Sequence, residues 1–149
     1  MRLKERIPNF IEKVNIENLL LNIWELPVSK ETIESIKKDL PRIQQLWTEY
    51  PDERFSQTLV NNNYIPNYQG FWYYMEESEI LKEQGVDASE YLFWGQNYDE
   101  KGKRLPETRY RLIKELDTDH IKTILNEGHT EEGSEYHKAL TKELEKRCI

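Results

Sequence analysis

The chain has 149 residues and a formal net charge of −7, with 33% charged and 37% hydrophobic side chains. A domain of this length buries a core without a disulfide or metal staple, and four Trp, nine Tyr and four Phe argue against disorder. The acidity disfavours a general nucleic-acid binder, which needs a basic stripe to release counterions. It also disfavours binding to an anionic membrane surface, and it makes a protein partner with a basic surface the natural electrostatic complement.

In chain order, residues 1–63 read as helical. Arg6 to Val14 places Ile7, Phe10, Ile11 and Val14 at helical spacing. Asn15 is a cap for a turn carrying Leu19, Leu20 and Ile23, which Pro27 stops. Ser29 is the N-cap of the run ETIESIKKDL, and Pro41 either kinks that helix or starts the next one. Ile43, Leu46, Trp47 and Tyr50 form one stripe, and Asp52 is the expected cap of a helix with Phe55, Leu59 and Val60. The run NNN at 61–63 ends it, because Asn tolerates left-handed backbone.

Residues 64–116 concentrate the aromatics. Phe71 to Met75 is extended by propensity, which sets Phe71 and Tyr73 on one face as core and Trp72 and Tyr74 on the other as an exposed patch. Glu76 to Gln84 reads as a short helix ended by Gly85. Tyr91 to Tyr98 and Thr108 to Leu116 read as strands, with NYDEKGKRLP between them as a hairpin loop. Residues 117–147 return to helix. Asp117 or Thr118 caps a segment with Ile121, Ile124 and Leu125 inward, and Gly128 ends it. Thr130 or Ser134 starts a last helix with Tyr136, Ala139, Leu140 and Leu144 on one face. The expected fold is α+β: one mainly helical domain over 1–149, with a small antiparallel hairpin in the second half.

The chemical signals are sparse. Cys148 is the one cysteine, so no disulfide framework forms within the chain and a cytoplasmic location is expected. MRLKERIPNFIEK has no apolar stretch of a secretion signal, and LLLNIW is too short to span a bilayer. His120, His129 and His137 lie among acids, but spacings of nine and eight match no helical ligand pair. The loop from Asn97 has Asp99 and Gly102 where a calcium loop would, yet Lys101 replaces an oxygen ligand and Thr108 the final Glu. No G-x-S-x-G elbow or glycine-rich phosphate loop is present. Glu76, Glu77 and Glu79 read as the acidic first turn of a helix. KGKR at 101–104 reads as a solvated turn. No catalytic residue, metal or cofactor is assigned.

The run IQQLWTEYPDERFSQTLVN, followed by GFWYYMEESEIL, resembles a pattern in uncharacterised short proteins of bacterial genomes, prophages and phages. In that pattern a Leu-Trp-x-x-x-Pro-Asp-x-Arg-x-x-Gln junction precedes an aromatic-acidic stretch, and YRLIKELDTDHIKTIL with a late ELEKR resembles their second half. The resemblance spans about residues 38–147 and implies an accessory protein of a mobile element, with no activity attached. Arg54 and Gln57 are polar members of the pattern. Both are candidates for binding, while a structural pair, Arg54 on Asp52 or Glu76 and Gln57 on backbone, is the favoured reading.

Together these features lead to a non-catalytic cytoplasmic protein-binding or accessory protein, for example an inhibitor or immunity type. Trp72, Tyr74, Arg54 and Gln57 are its candidate interaction surface, and its partner is a protein with a basic surface. The alternative is a small hydrolase or nuclease using acids and His120. A nucleic-acid regulator working through the helical first third is weaker still, given the charge.

Overall fold

The computed structural model describes residues 7–99 and 101–148. The fold is α+β: helices dominate, and a two-stranded antiparallel sheet lies in the second half. Its internal contacts divide the chain into two compact units, Met1–Val86 and Asp87–Ile149.

In the first unit the helices are α1 (Phe10–Lys13), α2 (Ile16–Asn18), α3 (Lys30–Lys38), α4 (Leu40–Glu49), α5 (Phe55–Asn61) and α6 (Glu77–Glu83). The expected helix start at Arg6 lies outside the described residues; α1 begins after Asn9, which is left-handed at φ 59°. Asn15 caps α2 as expected, its Oδ1 accepting the Asn18 N–H at 3.0 Å. The next turn departs from expectation. Leu19–Ile23 is a π-helix, closed by the Trp24 N–H on the Leu19 carbonyl at 2.8 Å. That wider turn aligns residues five apart, so Trp24 is buried with Leu19 and Leu20 while Ile23 is only half-buried.

Ser29 caps α3 through its Oγ, which accepts the Thr32 N–H at 3.1 Å. Pro41 sits in the first turn of α4, so it starts a helix rather than kinking one. The buried stripe of α4 is Ile43 and Trp47; Leu46 is half-buried and Tyr50, past the helix end, is 56% exposed. Phe10, Trp47 and Phe55 make a three-ring core, with centroids 5.1–5.4 Å apart. Trp47 Nε1 donates to the Glu53 carbonyl at 2.9 Å, which requires residues 50–53 to fold back as a turn closed by Glu53 N–H to Tyr50 O. This turn displaces the expected Asp52 cap. Asp52 is exposed, and Arg54 occupies the N-cap position of α5. Asn63, at φ 62°, takes the left-handed position after α5. Gln84 then closes the unit on itself. Its side chain accepts from the Asn15 N–H at 3.0 Å and donates to the Asn15 carbonyl at 2.8 Å, which joins the end of α6 to the start of α2.

The second unit contains β1 (Phe93–Tyr98), β2 (Arg104–Leu112), α7 (Thr118–Asn126) and α8 (Glu135–Arg147). A hairpin forms where expected, but β2 begins earlier than Thr108 and ends at Leu112; residues 113–115 are a 3-10 turn. The loop is short because Asp99 Oδ1 accepts the N–H groups of Lys101 and Lys103, both at 2.9 Å; Glu100 lies outside the described residues. Pairing runs in register from Phe93↔Leu112 to Gln96↔Arg109, then shifts at a bulge before Tyr98↔Arg104. Ser134, not Thr130, caps α8, accepting the His137 N–H at 3.1 Å. The core joins Ile113, Leu116, Ile121, Ile124, Ala139 and Leu140. Arg147 locks the end of α8 down, donating to the Leu116 and Lys114 carbonyls and to Glu143 Oε2.

Candidate interaction site

Residues 71–74 are a 3-10 turn, not a strand. Among the described residues they pair with no strand, and their backbone bonds locally, the Met75 N–H reaching the Trp72 carbonyl at 3.2 Å. A 3-10 turn has a period of three, and this exchanges the expected places of Phe71 and Trp72. Phe71 is 69% exposed rather than core, Trp72 is 3% exposed rather than a surface anchor, and Tyr74 is 66% exposed as expected. Tyr73 is half-buried. Phe71 and Tyr74, three residues apart, share the outward side.

The turn is held from behind. Trp72 packs on Trp24 at 5.2 Å, the residue that the π-turn delivers to the core. Gly70 leaves room for the indole: a Cβ there would lie 2.8 Å from Trp72 Cδ1. Ser56, fully buried on α5, donates from Oγ to the Tyr73 carbonyl at 2.6 Å. Arg54 spans the side of the turn. Its Nε donates to Glu76 Oε1 at 3.0 Å, and its guanidinium carbon lies 5.9 Å from the Tyr74 ring centroid, in cation–π range. Gln57 accepts the Arg54 N–H through Oε1 at 2.7 Å. Gln57 therefore fixes the helix start, and Arg54 fixes the turn while keeping one face on Tyr74.

The structure brings Arg54 and Tyr74 together and removes Trp72 from the surface. The residue that sequence reasoning missed is Phe71. Its signal was the i, i+3 relation to Tyr74 in a segment too short and too aromatic on both sides for a half-exposed strand.

The histidines do not converge. His129 Nε2 lies 2.9 Å from Glu127 Oε2, and His137 Nδ1 lies 3.0 Å from Thr130 Oγ1. His120 Nδ1 lies 3.4 Å from Arg111 Nη2, a cation rather than a carboxylate. Among the described residues, no group of three or more His, Cys, Asp or Glu is placed to hold a metal ion. Burial, and then the Arg111 charge, lower the His120 pKa below its ordinary value, against an opposing pull from Asp117. Folding thus favours the neutral form of His120, and the stability linked to it is complete above about pH 6.5 and declines as pH falls below that, because the unfolded chain takes up the proton first. An NMR titration of His120 is expected to give a pKa below 6.5 that rises in Arg111→Gln. An unchanged pKa in that variant removes Arg111 as a cause.

A cleft of about 590 Å³ in the first unit is lined largely by apolar side chains such as Ile11, Leu40 and Trp47, with Glu12 its one charged residue among those described. Among the described residues it gathers no acid–base pair. No helix of the described chain is long and apolar enough to cross a membrane. The class defined by the geometry is an α+β protein with a rigid aromatic turn on its surface. No protein-family model matches the chain, and neither does any curated protein or solved structure.

Proposed function

We propose that this is a non-catalytic protein-binding accessory protein whose contact patch is Phe71, Tyr74 and Arg54. The observation that carries the reading is the pair of exposed aromatics on one side of a turn pinned from behind by buried Trp72 and Ser56. Large rings presented without ordering cost are the residues that dominate interface energetics. The fitting partner is a protein with an apolar pocket and a basic rim, the rim matched to the net charge of −7. A cytoplasmic role as an inhibitor or immunity-type protein of a phage, prophage or defence-related locus is part of this proposal and rests on the sequence resemblance.

The test is affinity capture from a host lysate by the parent chain and by Phe71→Ala/Tyr74→Ala. We expect a specific protein, retained by the parent, to be lost by the double variant while far-UV circular dichroism and Tm stay unchanged. Retention by both alike, or no retained protein, refutes the reading.

A further inference from the structure

The β1–β2 hairpin carries a charge opposite to that of the whole chain. Residues 93–112 hold Lys101, Lys103, Arg104, Arg109 and Arg111 against three acidic residues, in a protein of net charge −7. Lys101, Lys103, Arg104 and Arg109 are all exposed, and none makes an ion pair among the described residues. In a chain with 28 carboxylates, four neighbouring cations with no ion pair among the described residues are open to an outside anion.

The hairpin also presents a free backbone edge. The Ile113 N–H donates to the Leu92 carbonyl at 3.1 Å, and the register continues in step to Gln96↔Arg109. That phase makes Trp94–Arg111 and Gln96–Arg109 the pairs that exchange backbone hydrogen bonds. The N–H and C=O groups of Thr108 and Tyr110 therefore point outward, away from β1. Among the described residues no backbone group outside the hairpin bonds to them. Pro106 within β2 agrees with a strand that has an open side, since sheets confine proline to edges and bulges. Tyr110, 44% exposed, lies over Gly95, where a Cβ would come within 3.1 Å of its ring, so it offers a fixed apolar surface next to the edge.

We propose that the outer edge of β2 takes up an extended acidic segment of a partner protein as a third strand. The outward groups of Thr108 and Tyr110 bond its backbone, and Arg109 and Arg104 pair with its carboxylates. A nucleic acid fits less well. Four cations fall short of the roughly six to ten phosphate contacts of a strongly salt-dependent binder, and a phosphate backbone has no amide ladder to offer β2. This inference uses residues of the second unit alone and stands or falls independently of the aromatic patch.

The experiment is fluorescence anisotropy on the full chain with four labelled probes: an alternating Val-Glu peptide, its Val-Lys counterpart, the Val-Glu peptide N-methylated at alternate amides, and an oligo-dT strand. We expect the Val-Glu peptide to bind at least about tenfold more tightly than the other three. Arg104→Glu/Arg109→Glu should abolish that binding, and Thr108→Pro, which removes an outward N–H, should weaken it about tenfold or more. If Thr108→Pro fails to fold, the N-methylated peptide tests the same bond on the unaltered protein. Absence of Val-Glu binding, equal binding of the Val-Lys or N-methylated peptide, or tighter binding of oligo-dT each overturns the proposal.

Discussion

Trp72→Ala is expected to destabilise the first unit by about 3–5 kcal/mol, the usual cost of truncating a fully packed aromatic. Phe71→Ala, one residue away, should cost no more than about 0.5 kcal/mol, as exposed substitutions do. The two rings are adjacent in the chain and similarly hydrophobic, so composition does not separate them. Their difference follows from the 3-10 turn, which sends Trp72 against Trp24 and Phe71 into solvent. Denaturant unfolding followed by far-UV circular dichroism checks both. Equal costs at the two positions would mean that the turn does not hold its faces as described. Trp72→Ala should also weaken partner capture without touching the contact patch, because the turn loses its anchor; Phe71→Ala should weaken capture at unchanged stability.

A similar loss, about 3–5 kcal/mol, is expected for Trp47→Ala. Trp47 is 1% exposed and meets both Phe10 and Phe55, and such ring pairs add about 0.5–1.5 kcal/mol each beyond area burial. It also satisfies the Glu53 carbonyl. Trp47→Phe keeps most of the packing but removes the donor, and should cost about 1–2 kcal/mol on that account. Urea unfolding of the three proteins side by side measures the split. A Trp47→Phe variant as stable as the parent would show that the bond to Glu53 contributes nothing to the fold of the 50–53 turn.

Much of the architecture was legible because it depends on local rules. Ser29, Asn15 and Ser134 cap helices through their own side-chain oxygens. Asn63 takes the left-handed position that follows α5, and Pro41 starts α4 because its ring suits a first turn. The hairpin was legible from its Asp and Gly punctuation, although the boundaries of β2 were not, since Pro106 reads as a stop and is tolerated within this strand. The structural pairing of Arg54 and Gln57 was the favoured reading of the sequence, and of the partners it offered the structure has Glu76 for Arg54 and backbone for Gln57.

What tertiary structure alone decided lies where local rules are silent. Local rules for an apolar run such as LLLNIW favour an α-turn over the rare π-turn, and the wider turn found here goes with the burial of Trp24 against Trp72. A run of four aromatics favours extended backbone by propensity, but extension requires a strand to pair with, and among the described residues this run pairs with none. The segment turned back on its own carbonyls instead, and its period changed from two to three. The sequence by itself thus determined that residues 71–74 would be both buried and exposed. Which ring went inward depended on the space left by neighbouring Gly70 and on the indole of Trp24 and the hydroxyl of Ser56, two groups distant in sequence that reach the turn only once the unit has folded.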